Sequence, residues 1–294
     1  MLSILIPTYN QNIIKLVNEL HRQSAEQFVN FEIIVLEDGS TQFIEGNKKV
    51  NDLEFGKQIV LSHNIGRSAV RNKLAKLSKY QHLLFIDCDA EVCSPYYIER
   101  YLSFCNQECI VIGGTAYSEN ETNPNYSLRL KYGRIREARS AQDRGKNNFA
   151  TFNFLISKNI FNRIQFDESI RGYGHEDMLF GHQLHILGYE FIQIENTLVH
   201  KGLDDNTTFL SKTEEATRNL FLLFKTGKYT FLQNESKLLY SLTIIQKLGL
   251  TKVCAFKFDL LKSLLRKLLR TSSPSLLLYD LYKILFLCKT SLQK

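Results

Sequence analysis

The 294-residue chain is predicted to be an α/β protein, a mostly parallel sheet flanked by helices, with a helical C-terminal extension. Three observations carry this prediction. Short apolar runs alternate with segments of helical period through the first two-thirds of the chain. Polar turn motifs follow the apolar runs, where strands would end. From Ser211 onward the pattern is helical, and near residue 236 the charge balance changes sharply.

Each element can be justified in turn. Leu2–Pro7 is an apolar run closed by proline and reads as a buried strand. Asn12–Ser24 places Ile13, Ile14, Leu16, Val17 and Leu20 at helical spacing. Phe31–Leu36 is a second strand, followed by the turn Glu37-Asp38-Gly39-Ser40. Ile59–Leu61 is a third strand. Gly66–Leu77 is a helix whose apolar face is Ala69, Val70, Leu74 and Leu77. Leu83–Ile86 is a fourth strand and ends in Asp87-Cys88-Asp89. Pro95–Phe104 reads as a helix, and Cys109–Ile112 as a strand closed by Gly113-Gly114. Tyr126–Ala141, rich in arginine, is expected to be helical. Phe149–Ile156 is strand-like, Glu176–Leu187 is a helix opened by two acids, and the strand Phe191–Ile194 leads to His200. Gly227, Gly249 and the Thr271–Ser275 cluster punctuate the helical remainder. The expected organisation is one α/β domain over residues 1–220 and a helical region over 221–294. In parallel sheets of this kind ligands bind beyond the carboxyl ends of the strands, where the polar motifs sit.

Composition excludes several classes. With 44% hydrophobic and 23% charged residues, the chain is an ordinary folded protein rather than a disordered or collagen-like one. Six cysteines without a Cys-x-x-Cys pair exclude a zinc ribbon and read as reduced thiols of a cytosolic protein. The apolar start has no basic region before it, so no signal peptide is expected. No 18-residue window lacks a charge, so no membrane-spanning helix is expected. The net charge of +7 is unevenly placed: residues 236–294 carry 11 Lys and Arg against 2 acids, whereas residues 1–235 carry 26 against 28. The body therefore offers no basic groove, and nucleic acid is not an expected partner.

Several polar segments can carry chemistry, and each also has a plain structural reading. Asp87 and Asp89 can both approach one site and hold Mg²⁺ or Mn²⁺ with substrate phosphates, or can serve as a helix cap and a turn residue. Asp38 can accept hydrogen bonds from a ribose or base edge, or simply shape a turn. Tyr9, in Pro7-Thr8-Tyr9-Asn10, can stack on a base, although such a loop is also ordinary. Arg71 gains weight only from its neighbours. In Gly172-Tyr173-Gly174-His175-Glu176-Asp177, two glycines suggest a mobile loop, and an ionised carboxylate at the helix start can act as a general base or merely cap the helix. His200 follows an apolar strand and is either a ligand or a structural histidine. In the tail, Leu260, Leu261, Leu264, Leu265, Leu268 and Leu269 form one helical stripe, and Lys262, Arg266 and Arg270 another. That pattern fits a basic amphipathic helix on a membrane surface or a hairpin packed on the body.

Taken in order, the segments SILIPTYN, VLEDGST, NIGRSAVRN, LLFIDCDAEV, FNFLISKNIF, FDESIRGYGHEDMLFG and VHKGLD resemble the bacterial family 2 glycosyltransferases, which have the Rossmann-like GT-A fold. The resemblance covers roughly residues 1–220. It implies inverting transfer of a sugar from a nucleotide-sugar, usually a uridine diphosphate (UDP) sugar, to an acceptor hydroxyl. Under it Pro7, Thr8, Tyr9, Asp38 and Arg71 surround the nucleoside, and Asp87 binds ribose or metal. Asp89 and His200 hold Mn²⁺ or Mg²⁺ on the diphosphate. Asp177 is the catalytic base, with Glu176 beside it. Asn153, Phe154, Tyr173, Gly174 and His175 lie near the acceptor and donor sugar. Two differences are visible: Glu37 precedes Asp38 where many members have a second aspartate, and Tyr173 stands where tryptophan is common.

The implied acceptor is a cell-surface glycan or lipid-linked oligosaccharide. The implied location is cytoplasmic, peripheral on the inner face of the cell membrane through the C-terminal helices. The competing readings are a sugar nucleotidyltransferase and a non-catalytic nucleotide-sugar-binding protein. The first commonly carries a glycine-rich loop after the first strand, where this chain has Thr8-Tyr9-Asn10-Gln11.

Overall fold

The computed structural model describes residues 1–145, 148–170 and 172–293. The chain divides into two compact units. One comprises residues 1–118, 134–171 and 176–202; the other comprises 119–133, 172–175 and 203–294.

The first unit is built on a seven-stranded sheet. In chain order its elements are β1 (Leu2–Thr8), α1 (Ile14–Glu26), β2 (Phe31–Glu37), α2 (Ile44–Asn47), β3 (Gly56–Val60), α3 (Arg67–Leu77), β4 (His82–Ile86), β5 (Ala90–Glu91), α4 (Tyr97–Leu102), β6 (Ile110–Ile112) and β7 (Thr115–Ala116). After α5 (Ser127–Tyr132), which belongs to the second unit, come β8 (Asn153–Ser157), α6 (Lys158–Arg163), α7 (Glu176–Ile186), β9 (Ile192–Gln193) and β10 (Leu198–His200). The sheet order is β3-β2-β1-β4-β8-β6-β9. All neighbours run parallel except β8, which is antiparallel to both β4 and β6.

The central strands are mostly apolar because both faces are covered. Ile4 and Ile6 of β1 pack on one face with Leu16, Val17 and Leu20 of α1 and Tyr97 and Tyr101 of α4. Leu5, between them, packs on the other face with Val70 and Leu74 of α3, Phe161 of α6 and Phe180 of α7. The register sets Thr8 opposite Glu37, so β1 and β2 end level and their following loops share one edge.

A second, three-stranded sheet, β5-β10-β7, lies beyond this edge in the chain. Its strands have two or three residues each, too few for a hydrophobic period, and none of the three was foreseen as a strand. The expected helix over Tyr126–Ala141 is also corrected. A short turn at Pro124–Tyr126 leads into α5, which passes at Gly133 into a π-helical turn ending at Glu137. Glycine is a poor helix former, about 1 kcal/mol worse than alanine, and the run gives way there. The strand expected from Phe149 starts only at Asn153. Phe149 instead turns into an aromatic cluster with Phe154, Phe180 and Phe191.

The second unit is helical: α5, α8 (Asn206–Lys225), α9 (Leu232–Glu235), α10 (Lys237–Lys247), α11 (Thr251–Leu269) and α12 (Leu276–Ser291). Residue 220, the expected boundary, falls inside α8, because α8 shares a core with the tail. Phe209 and Leu210 pack with Leu128, Phe258, Leu265, Leu269, Tyr279 and Tyr282. Glu214 of α8, 8% exposed at its side chain, accepts from Arg266 of α11 at 2.8 Å and from the Tyr282 hydroxyl of α12, with Lys262 at 3.3 Å. Half of the leucine stripe of α11 is thus consumed by packing, whereas Leu260, Leu264 and Leu268 remain exposed. No described helix is long and apolar enough to cross a membrane.

Candidate active site

The carboxyl edge of β1, β2 and β4 gathers the predicted nucleoside residues. Pro7 and Thr8 close β1; Thr8 is buried and its hydroxyl donates to the Ile6 carbonyl at 3.3 Å. Tyr9 is 53% exposed. Asn10 fastens the following loop, its Oδ1 accepting from the amides of Thr41 and Gln42 at 2.7 and 3.0 Å. Glu37 and Asp38 are neighbours at a strand end and go opposite ways. The Glu37 carboxylate turns inward and accepts from Ser40 Oγ at 2.6 Å and Asn47 Nδ2 at 2.7 Å. The Asp38 carboxylate accepts from the amides of Ile65 and Gly66 at 2.7 and 3.1 Å and thereby fixes the loop that opens α3. The glutamate that departs from the family pattern is therefore a buried structural group.

α3 carries Arg71 into the centre. Its side chain is 3% exposed, and Nη2 donates to Asp87 Oδ1 at 2.8 Å. Nη1 lies 3.7 Å from Glu176 Oε1, and Arg67, one helical turn earlier, reaches the same oxygen at 3.8 Å. The guanidinium sits 5.6 Å from the centroid of the Phe166 ring. Nε and Nη1 of Arg71 are buried and make no hydrogen bond among the described residues. Buried donors of this kind are costly unless something accepts from them, which marks the spot as a place for a ligand oxygen. Glu176 is itself 7% exposed and held between two arginines. Asp177, beside it at the start of α7, is half-buried and accepts from the Met178 amide at 2.7 Å.

The Asp87-Cys88-Asp89 turn divides its two carboxylates. Asp87 goes to Arg71 and Asp89 to His200. The small sheet makes the second pairing: β10 runs antiparallel to β5 with His200 opposite Ala90. His200 Nε2 then stands 3.5 Å from Asp89 Oδ2. Tyr117 and Phe152 stack on the imidazole, with centroids at 5.6 and 5.3 Å. Gly202 is required here, because a Cβ would lie 2.2 Å from Asp89 Oδ2. Burial raises the Asp89 pKa above its ordinary value; His200 opposes that shift and Asp87 adds to it. Burial and the adjacent Asp89 push the Cys88 thiol up to about 12, so it stays protonated. A hollow of about 130 Å³ beside Asp89 is lined by Gln11, Asn12, Lys15, Glu91 and Lys201, among others.

The donor set fits a divalent ion shared with a substrate. No group of three or more His, Cys, Asp or Glu able to hold a metal occurs among the described residues. One carboxylate and one imidazole leave most coordination positions to water and phosphate oxygens, as Mg²⁺ and Mn²⁺ commonly require.

Two residues expected near the sugar are buried in the first unit. Asn153 is 1% exposed and its amide is fully used. Its Oδ1 accepts from the Tyr97 and Tyr101 hydroxyls, each at 2.6 Å, and its Nδ2 donates to the carbonyls of Asn196 and Gly114 at 2.8 and 3.2 Å. Phe154 is completely buried and stacks on Phe85 at 4.9 Å. β8 is an interior strand, so neither of its faces is open to a ligand. The residues that sequence reasoning missed are Arg67, whose signal was its i−4 spacing from Arg71, and the rings of Tyr117 and Phe152, which had none.

Tyr173, Gly174 and His175 belong to the second unit and hydrogen-bond to α8. The Tyr173 amide donates to Glu215 Oε1 at 2.9 Å, Asn219 Nδ2 donates to the Tyr173 carbonyl at 3.1 Å, and His175 Nε2 lies 2.8 Å from the Ala216 carbonyl. Lys212 Nζ lies 5.4 Å from the Tyr173 ring centroid. Gly172 has φ +91°, and a Cβ on it would come 2.8 Å from Asn219, so the glycine serves close docking.

Comparison with known proteins bears on the whole arrangement. The chain is 25% identical over 234 residues to a chondroitin synthase of Escherichia coli, covering 68% of this chain and 34% of that protein. It is 26% identical over 221 residues to a validoxylamine A glucosyltransferase of Streptomyces hygroscopicus subsp. limoneus, covering 64% of this chain and 48% of that protein. The chain thus spans a third to a half of these relatives' lengths. In fold it is similar to a mannosyltransferase of Pyrobaculum calidifontis solved with GDP-Man and Mn²⁺. That likeness has a TM-score of 0.53 at 13% identity, over 76% of this chain and 64% of the other. The model of the family named Glycosyl transferase family 2 matches residues 3–165, more than half of the sequence. By that match the chain belongs to glycosyl transferase family 2.

Proposed function

We propose that the chain is an inverting glycosyltransferase that moves a sugar from a UDP-sugar to an acceptor hydroxyl of a cell-surface glycan or lipid-linked oligosaccharide. It acts at the inner face of the cell membrane, which the C-terminal helices engage. The observation that carries the catalytic reading is the convergence at one strand edge of Asp89 with His200 and of Asp87 with the orphaned donors of Arg71. Such an edge suits a dianionic leaving group: buried Arg71 offers Nε and Nη1, and Asp38 and Tyr9 border the loops where a nucleoside would lie.

The chemistry follows from the residues. Asp177 accepts the proton of the acceptor hydroxyl as its oxygen attacks the anomeric carbon. The new carbon–oxygen bond forms as the bond to the diphosphate breaks, and the diphosphate leaves with the electron pair. Direct displacement inverts the anomeric centre, so an α-linked donor gives a β-linked product. Asp89 and His200 would hold Mn²⁺ or Mg²⁺, which when bound supplies Lewis-acid neutralisation of the departing charge. Preorganised donors from Arg71 act in the same direction. Glu176, buried between Arg67 and Arg71, does not reach a substrate. It holds the first turn of α7 and so positions Asp177.

The test is calorimetric titration with uridine diphosphate, with and without Mn²⁺. Metal-dependent binding that Asp89→Ala abolishes is expected. Absence of binding in both conditions, or full metal dependence in Asp89→Ala, overturns the donor-site assignment.

A further inference from the structure

We propose that the outward face of α11 is a docking surface for anionic lipid headgroups, with the helix lying along the bilayer surface. This gives the membrane part of the proposed function a specific surface and lipid chemistry, and it uses no property of the transferase site.

α11 is apolar on two sides. Ala255, Phe258, Leu265 and Leu269 are buried. On the opposite side Val253, Phe256, Leu260, Leu264 and Leu268 are 49, 70, 70, 52 and 43% exposed. Their spacing of three and four residues puts them on one stripe. At 1.5 Å per residue the stripe runs for about 23 Å. Leu248 and Leu250, also exposed, continue it at the turn before the helix. A continuous apolar strip of this length exceeds the scattered exposed leucines of an ordinary surface.

The charges around the stripe choose the partner. Lys257 and Lys267 lie within its arc and Lys252 beside it, all exposed, while no acid lies within the arc. The two acids of residues 236–294 are neutralised locally, Asp259 by Lys289 and Asp280 by Lys283. Lysine stems can lie along apolar surface while their ammonium groups reach outward, the arrangement that suits a headgroup layer. Anionic lipid supplies both a hydrophobic interior and negative charge at the right depth. A second copy of this chain would instead bring Lys257 and Lys267 against like charges. No described helix can span a bilayer, so lying on the surface is the mode open to this one.

The chain contains no tryptophan, so Phe256→Trp introduces a single fluorophore. Phe55→Trp, at an exposed position of the first unit, is the control. Each full-length variant is mixed with vesicles of phosphatidylcholine alone or with added phosphatidylglycerol. The expected result is sedimentation with the mixed vesicles and a blue shift for Phe256→Trp but not for Phe55→Trp. Binding should weaken about tenfold or more on phosphatidylcholine alone or in high salt. The double variant L260S/L264S, changed only at exposed positions and checked by circular dichroism, should lose at least about tenfold in binding. Failure of the intact protein to sediment overturns the proposal. So does sedimentation that L260S/L264S leaves unchanged, or self-association through the stripe without vesicle binding. Uridine diphosphate titration of the same samples reports on the donor site separately, so failure of one reading is not failure of the other.

Discussion

Replacing Asn153 by alanine separates a structural node from a sugar contact. The side chain links four groups: two tyrosine hydroxyls as donors and two carbonyls as acceptors. They do not suffer equally. The Gly114 carbonyl keeps the Leu198 amide at 3.4 Å, and the Tyr101 hydroxyl keeps a long contact of 3.5 Å to the Asn153 carbonyl. The Asn196 carbonyl loses its side-chain partner outright, and the Tyr97 hydroxyl keeps only the neighbouring Tyr101 hydroxyl. Both tyrosine side chains are fully buried, and burial holds their hydroxyls protonated well above the ordinary range. An unsatisfied buried polar group costs about 1–3 kcal/mol, so one full loss and two partial ones give about 2–4 kcal/mol. Against a total stability of about 5–15 kcal/mol that is a large fraction. At about 2–4 °C per kcal/mol the melting point should fall by about 10 °C.

Urea unfolding followed by circular dichroism measures the loss, and uridine diphosphate titration of the folded fraction measures binding. Tyr97→Phe should cost about 1 kcal/mol alone, and combined with Asn153→Ala it should cost less than the sum. A stability change under about 1 kcal/mol together with a tenfold loss of nucleotide-sugar affinity would refute the reasoning and return Asn153 to the sugar site.

Three further outcomes are expected. Arg71→Met leaves Glu176 and Asp87 without their shared cation; uridine diphosphate affinity should fall about tenfold or more, and thermal stability should drop by about 2–4 kcal/mol, less than for a fully buried pair because Asp87 is partly exposed. Asp177→Asn should lower the transfer rate by about 10²–10⁴-fold in a product assay while leaving uridine diphosphate binding unchanged. Glu214 concerns pH: burial works to raise its pKa, but the Tyr282 hydroxyl, Lys262 and Arg266 outweigh it and hold the carboxyl below its ordinary value. Its contribution to stability is therefore present above the unfolded pKa of about 4.3 and is lost as pH falls through the lower folded value. Urea midpoints taken from pH 7 to acid should decline less steeply in Glu214→Gln.

Most of the sheet was legible because its strands are covered on both faces. Leu2–Pro7, Phe31–Leu36 and Leu83–Ile86 are mostly apolar runs, and each is a central strand within a residue or two. The small sheet was not legible, for a physical reason. Ala90–Glu91 and Leu198–His200 are too short to show a period, and their pairing is set by where the main sheet ends. Yet this pairing brings His200 to Asp89, so the pair we propose for a metal is suggested by motif order, whereas its geometry is not. The hydrogen bonds of Asn153 were hidden for a different reason. A buried polar residue in a mostly apolar interior strand is a node to be satisfied by the protein, and Tyr97 and Tyr101, four residues apart on α4, are the donors that meet it.

The tail shows how a pattern can be read correctly and still be ambiguous. Leucines occur there as doublets, 260/261, 264/265 and 268/269, repeated every four residues. Neighbours on a helix differ by about 100° in direction, so a doublet cannot send both side chains to one partner. Leu265 and Leu269 join the aromatic core, and Leu260, Leu264 and Leu268 face outward. Packing and surface attachment are therefore not rival explanations of the same residues. The first consumes one member of each doublet, and the second is the account we propose for the other. The basic residues divide in the same way. Lys262 and Arg266 turn inward to Glu214, while Lys257 and Lys267 stay with the exposed stripe. The tail's positive charge is thus divided, and only its outward share is open to the anionic surface we propose.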